Sequence, residues 1–371
     1  MKFTVNSTEL QRSLSKIAGV LPTRSTMPIL ENVLCELSGN TLTLTATDLA
    51  VSLSVGMTVQ GAADGKAAIP GRRLVETVRS LPDVIASFAV DEGTHRIKIS
   101  TENGEYTLVG ESAKEFPQVP PVQGGGEVEF PADMLRRMIH RTTFAVSGDE
   151  LRPAMMGVLF QRSQEELRLV ATDGHRLVRL IQKGINAERF SRDVIVPAKA
   201  LAILGRSIEG ATVSCGIGTT HVQFSFGSTV LVSRLIDESY PNYESVIPSD
   251  NTKTLQVRRE DLIDSIRRVA LYASATTHQV RLQASGATLE VSAQDVDFGG
   301  EARETLPCEY SGDAIEIGFN STYVIDLLSH LEGSDVAFRF STPTRAAIVV
   351  PVGQTDKEDV LMLVMPVRLT S

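Results

Sequence analysis

The chain has 371 residues, of which 42% are hydrophobic and 22% charged, and a formal net charge of −9. That length suits two or three ordinary domains, the composition is that of a folded globular protein, and no apolar run approaches the roughly 20 residues of a membrane helix. The acidic balance speaks against nucleic-acid binding unless the basic residues are segregated, and three scattered cysteines, Cys35, Cys215 and Cys308, fit neither a disulfide framework nor a metal site.

The N-terminal residues Met1-Lys2-Phe3-Thr4-Val5 carry no signal-peptide stretch, so a cytoplasmic protein is expected. A helix starts at Asn6-Ser7-Thr8-Glu9-Leu10, where Asn6 with Glu9 resembles a capping box and Leu10, Leu14 and Ile17 share a face. Residues 41–48 alternate apolar and polar as a strand does, a second helix starts at Pro70-Gly71-Arg72-Arg73-Leu74, and 95–100 predicts another strand. A Pro/Gly stretch at 120–126 suits a linker. After it the series begins again. Pro131 fits the first turn of a helix carrying Leu135, Met138 and Ile139. Residues 166–173 predict a strand, Pro197-Ala198-Lys199-Ala200-Leu201 a helix, and 222–225 a strand. A second linker at 248–251 leads to a helix with Leu262, Ile266 and Val269, a strand at 288–295, a helix from Asn320 and a strand at 346–350.

Three families of marks keep one order at intervals of about 125 residues: Leu10, Leu135 and Leu262; Asp48, Asp173 and Asp295; Leu74, Leu201 and Val324. They predict three α+β domains of one design, at 1–122, 127–248 and 252–371, each with two helices and about eight short strands. Four of the six helix segments carry more Lys and Arg than Asp and Glu, the fifth balances and the sixth is acidic. Arg12 with Lys16 and Arg137 with Arg141 are i,i+4 pairs, and Arg72 with Arg79 and Lys199 with Arg206 are i,i+7 pairs, each on one helix face. A single such face is usually just solvated. Four of them in an acidic chain point to the backbone of duplex DNA, contacted without base recognition. No zinc-finger spacing or aromatic base-stacking motif is present, and there is no Trp.

The runs Pro28-Ile29-Leu30, Thr47-Asp48-Leu49, Ala171-Thr172-Asp173-Gly174-His175-Arg176-Leu177, Gly318-Phe319-Asn320 and Met365-Pro366-Val367-Arg368-Leu369 come in the order of a known family. Over its whole length the chain resembles the beta subunit of bacterial DNA polymerase III, the sliding clamp. The resemblance implies domains of two helices and two four-stranded sheets each, and a head-to-tail homodimer closed into a six-domain ring, with the helices lining the hole. It implies tethering of the replicative polymerase to double-stranded DNA, with no catalysis, cofactor, metal or membrane. By position, Arg24, Arg72, Arg73, Arg79, Arg137, Arg141, Lys199 and Arg206 become DNA-facing candidates, while Ala198 stands where a basic residue is expected. The family also has a pocket that takes short peptides from the polymerase III catalytic subunit, the clamp loader, other polymerases and repair proteins. Matching positions are Met155, Thr172, Gly174, His175, Arg176, Leu177, Pro241, Val246, Asn320, Tyr323, Thr344, Ala346, Met365, Pro366, Val367 and Arg368, with Thr370 and Ser371 following. Tyr106, Leu108, Leu271 and Tyr272 match subunit-contact positions, although ordinary strand or core roles explain each equally well.

Two other functions fit parts of the sequence. A specialised clamp paralogue or a peptide-binding adaptor that does not encircle DNA would share the pocket. An enzyme would need more than Asp173 and His175, with His221 or His278 at a distance, and no ligand cluster, nucleophile elbow or P-loop accompanies them.

Overall fold

The computed structural model describes residues 1–122, 126–190 and 192–369; Gln123, Gly124 and Gly125 of the first expected linker, together with Ser191, Thr370 and Ser371, lie outside the described residues. Six helices are present among them: α1 (Ser7–Ile17), α2 (Gly71–Ser80), α3 (Ala132–Thr143), α4 (Ala198–Ser207), α5 (Arg259–Val269) and α6 (Ser321–Ser329). Among the described residues no helix is long and apolar enough to cross a membrane. Every helix follows directly on a strand, with no intervening loop. The Asn6 side chain caps α1 by accepting from the Thr8 and Glu9 amides at 2.9 and 3.2 Å, and Asn320 caps α6 by accepting from Thr322 at 2.9 Å. Pro131 does not enter the first turn of its helix but ends the preceding strand, where its missing N–H leaves no unsatisfied donor.

The chain divides into two compact units. The first comprises Met1–Arg136, Arg189–Ser191 and Lys199–Leu235. Its five-stranded sheet runs Gln60–Ala63, Lys2–Asn6, Ile85–Asp91, Arg96–Ser100, Glu105–Val109. Its eight-stranded sheet runs Glu127–Pro131, Thr212–Ile217, His221–Phe226, Thr229–Arg234, Val51–Thr58, Thr41–Thr47, Asn32–Ser38, Gly65–Pro70. Four strands of this sheet come from the first sequence repeat and four from the second, joined where Leu231 lies opposite Leu53. Alternate residues of the strands point inward. Leu42, Leu44, Leu53, Phe224 and Leu231 are buried with Leu10, Leu14 and Ile17 of α1, and Phe3 stacks on Phe88 at 4.8 Å.

The second unit comprises Arg137–Glu188, Arg192–Ala198 and Ile236–Ser371. A nine-stranded sheet repeats the same junction: Arg176–Lys183 of the second sequence repeat pairs with Glu358–Val364 of the third, Leu180 opposite Val360. A four-stranded sheet runs Gly300–Pro307, Thr288–Asp295, Gln279–Ser285, Ile315–Asn320. Phe160, Phe319, Phe338 and Phe340 are the large fully buried side chains here. Repeats that would each leave sheet edges unpaired instead join edge to edge, which satisfies the backbone groups of two edges at each joint.

Candidate peptide pocket and nucleic-acid surface

The pocket candidates all belong to the second unit, and Thr172, Gly174, His175, Arg176, Tyr323 and Met365 meet at the turn between the strands Glu166–Thr172 and Arg176–Lys183. Asp173 builds this turn: its Oδ1 accepts from the backbone amides of His175 and Arg176 at 2.8 and 2.9 Å. Gly174 has a φ of +90°, a left-handed conformation that glycine adopts without a Cβ clash. The recurring aspartates do the same work elsewhere. Asp48 accepts from Ala50 and Val51, and Asp295 accepts from Asp297 and Phe298. The repeated Asp is therefore a turn-former. Asp173 meets His175 through the peptide N–H rather than the imidazole, so the two do not form an acid–base pair.

Arg176 is the hub of the site. Its Nε donates to Asp173 Oδ2 at 3.1 Å, Nη1 to Asp326 Oδ2 at 2.6 Å and Nη2 to the Phe144 carbonyl at 2.8 Å. The guanidinium also lies 5.0 Å from the Tyr323 ring centre and 5.3 Å from that of Phe144. Tyr323 in turn stacks against His175 at 5.7 Å. With both carboxylates and two aromatic faces engaged, Arg176 holds the turn to α6 and has little capacity left for a ligand.

The C-terminal segment reaches the same place by backbone bonds. Strand pairing sets Leu177 opposite Leu363, the Met365 amide donates to the His175 carbonyl at 2.8 Å, and the Val367 amide donates to the Gly318 carbonyl at 2.9 Å. A methyl group on Gly318 would meet the Val367 carbonyl oxygen at 3.0 Å and Leu369 Cδ2 at 2.7 Å, so a side chain there would make the segment shift. Leu177, Ala346, Leu363 and Tyr243 share one buried cluster, against which Ala154, Tyr240 and Ile247 pack.

The pocket candidates therefore separate into two sets. Thr172, Leu177 and Ala346 are buried and form the foundation; the Thr172 hydroxyl donates to the Arg176 carbonyl at 2.7 Å. Gly174, His175, Pro241, Val246, Thr344, Met365 and Arg368 are exposed, and Met155, Asn320, Tyr323, Pro366 and Val367 are half-buried. These could touch a ligand. Met365, whose amide meets the His175 carbonyl, and Val246 are exposed apolar side chains, and the flexible Met is the adaptable one. Sequence reasoning missed Phe144, Asp326 and Arg152. Arg152 Nη1 donates to the Asp173 carbonyl at 2.9 Å, and no motif or spacing marks any of the three.

The basic candidates also divide. In the first unit Arg24, Arg72, Arg73 and Arg79 are exposed and have no ion pair among the described residues; the same holds for Arg12 on α1. Arg72, Arg73 and Arg79 border a cleft of about 570 Å³ that Glu31, Glu76 and Glu111 share. Lys199 is exposed but paired with Asp48, and Arg206 donates Nε to the Ala202 carbonyl at 3.1 Å. Arg137, in the second unit, is half exposed and 4.0 Å from Glu358. Arg141 is a correction. Its side chain is 6% exposed and ion-paired to Glu358 and Glu332, so its charge is neutralised inside the second unit and unavailable to a phosphate. The i,i+4 spacing put it on the face of Arg137, but Glu358, the first residue of the strand Glu358–Val364, and Glu332 take its guanidinium.

Of the subunit-contact candidates, Leu108 is buried within its own sheet, opposite Ile97, and is corrected to a core residue. Tyr106, Leu271 and Tyr272 are exposed, at 39%, 81% and 48%, and so are Val109, Val296 and Phe298, which the sequence did not single out. Tyr106 and Val109 belong to the edge strand Glu105–Val109, and Phe298 precedes the edge strand Gly300–Pro307.

Comparison with known proteins gives the family. Three family models match in sequence: the DNA polymerase III beta subunit N-terminal domain over residues 1–120, the central domain over 129–242 and the C-terminal domain over 244–368. The beta sliding clamp of Pseudomonas aeruginosa is 33% identical over 376 residues, and that of Escherichia coli K12 32% over 372, each covering all of both chains. A crystal structure of the Pseudomonas aeruginosa sliding clamp, DNA polymerase III subunit beta, bound to griselimycin superposes with a TM-score of 0.93 at 32% identity over the full length of both. The chain, three tandem clamp domains of mixed α/β structure, belongs to the DNA polymerase III beta subunit family.

Proposed function

We propose that this chain is a sliding clamp: two copies join head to tail into a six-domain ring that encircles duplex DNA in the cytoplasm and tethers the replicative polymerase. The carrying observation is the match of three consecutive clamp-domain models along the whole chain. The domains span 1–122, 127–248 and 252–371. Arg24, Arg72, Arg73 and Arg79, exposed and without an ion pair among the described residues, in a chain of net charge −9 support a surface that meets phosphates. Lys199 and Arg206 add basic groups in the same unit, and Arg137 is the basic candidate of the second. Enclosure, rather than tight contact, keeps the ring on DNA, so these contacts stay weak and mobile. The unpaired sheet edges Glu105–Val109 and Gly300–Pro307, with apolar Tyr106, Leu271 and Tyr272 beside them, suit edge-to-edge joining of two copies. The half-buried and exposed residues around Tyr323 receive peptides of the polymerase III catalytic subunit, the clamp loader, other polymerases and repair proteins, with Met365, Val246 and Pro241 supplying adaptable apolar contact and His175 and Arg368 polar ones.

The test is retention on DNA. After loading on nicked circles, the protein should stay bound and should leave when the circle is cut, and light scattering should give the mass of two chains. A persistent monomer, or equal retention on cut and closed DNA, would overturn the ring and leave a peptide-binding adaptor.

A further inference from the structure

Behind Arg176 the contacts continue away from the pocket. The Phe144 ring, which faces the guanidinium, also stacks on the His330 imidazole, with centroids 4.0 Å apart and planes 11° from parallel. His330 lies 4.6 Å from the His140 ring of α3. One series of rings and one guanidinium thus runs from His140 through His330, Phe144 and Arg176 to Tyr323 and His175, all within the second unit. Asp326 ties both halves together: its carboxylate accepts from Arg176, and its carbonyl lies 2.7 Å from His330 Nδ1. A carbonyl only accepts, so Nδ1 carries the proton of the neutral ring and Nε2 is bare.

We propose that His330 and Phe144 are positioning residues of the pocket: their stacked rings hold the Arg176 guanidinium on Tyr323, and peptide is received in full only while His330 is neutral. This rests on the pocket described under the proposed function. The charged and titratable groups facing His330 are His140 from α3, Arg176 from the strand Arg176–Lys183 and Asp326 from α6 itself. The single carboxylate among them is already bonded to Arg176. Glu332, two residues on, is paired with Arg141. A proton on Nε2 would put a second cation beside Arg176 and compete with it for Asp326, loosening the turn that His175 and Gly174 belong to. Burial, followed by His140 and Arg176, lowers the proton affinity of His330, opposed by its Nδ1–H bond to the Asp326 carbonyl and by the Asp326 charge. The neutral ring therefore prevails near neutrality, and its protonation sets in below the ordinary histidine value.

The probe is griselimycin, which a relative of 32% identity binds, titrated calorimetrically against the full chain from about pH 7.5 to about pH 5.5. Wild-type affinity should fall with acidity, by at most about tenfold at the lower limit, the ceiling for a group whose ordinary pKa is about 6.5. His330→Phe keeps a stacking ring that cannot take a proton. It should bind nearly as wild type at neutrality and lose most of the acid dependence. His330→Ala, lacking the ring, should bind several-fold more weakly at every pH. Unchanged acid dependence in His330→Phe, or wild-type affinity in His330→Ala, would overturn the proposal. If the wild type takes no griselimycin at any pH, the pocket assignment fails instead. The Arg176 Nε–H resonance then decides the positioning role: it must shift with the titration of His330 and stay fixed in His330→Phe.

Discussion

Replacing Arg141 separates a buried structural charge from a DNA contact. The Arg141 side chain is 6% exposed, and its two partners differ: Glu358 is 16% exposed and Glu332 64%. The half of the interaction made with Glu332 is close to solvent and contributes little. Removing the guanidinium from Glu358 leaves a largely buried carboxylate whose Oε2 already lacks a hydrogen-bond partner, and Arg137 at 4.0 Å is too far to supply one without moving. Breaking a buried pair from one side costs about 3–5 kcal/mol, and the partial exposure of Glu358 places Arg141→Ala at the lower end, about 3 kcal/mol. For a cooperative unit of this size that is a fall in Tm of about 6–12 °C. Calorimetry of the full chain measures it, and the double variant Arg141→Ala/Glu358→Gln should regain a large part of the loss. Retention on circular DNA, measured well below the transition, should stay at the wild-type level. A Tm within about 1 °C of wild type together with faster escape from DNA would refute the assignment of Arg141 to the interior.

Arg72→Ala combined with Arg73→Ala should weaken DNA association and reduce its log–log salt slope by up to about 2, one counterion per lost phosphate contact; an unchanged slope would remove both from the DNA surface. Phe88→Ala empties a position 2% exposed that stacks on Phe3, and urea unfolding should report a loss of about 3–5 kcal/mol. Burial, then the neighbouring Glu36, pushes the Cys35 thiol up to about 12, and Cys215 is likewise raised by burial and then Glu127, whereas Cys308 is partly exposed. Timed alkylation at about pH 8 with mass spectrometry should therefore modify Cys308 first and the other two only on unfolding, because the thiolate is the reactive form. Equal reaction of all three in the native protein would contradict this burial.

The local structure was legible in the sequence because its causes are local. Alternation placed the strands Thr41–Thr47, Glu166–Thr172 and Thr288–Asp295 within a residue of their expected bounds. Helical spacing identified Leu10, Leu135 and Leu262, all buried, and the recurring aspartates proved to be turn-formers. Charge pattern was less reliable. The i,i+4 spacing of Arg137 and Arg141 fixes their common side of a helix but not what packs on it, and the partner of Arg141 lies 217 residues further on. Leu108 was singled out by its match to a subunit-contact position, and a match of position does not show that the chain's own sheet already buries the side chain.

Tertiary structure alone decided the joints and the site. The pairing of Leu231 with Leu53, and of Leu180 with Val360, turns four-stranded sheets into longer ones, and no residue near either strand announces its partner. Arg176 finds Asp326 at a separation of 150 residues, and Phe144 joins through its carbonyl and ring, neither of which leaves a sequence signature. The sequence alone determined the threefold design, the helices, the strands and the turns, because periodicity, capping and turn chemistry act within a few residues. Which arginines face outward, which edges meet and which rings support Arg176 were settled only by packing, because burial and ion pairing depend on groups brought together from across the chain.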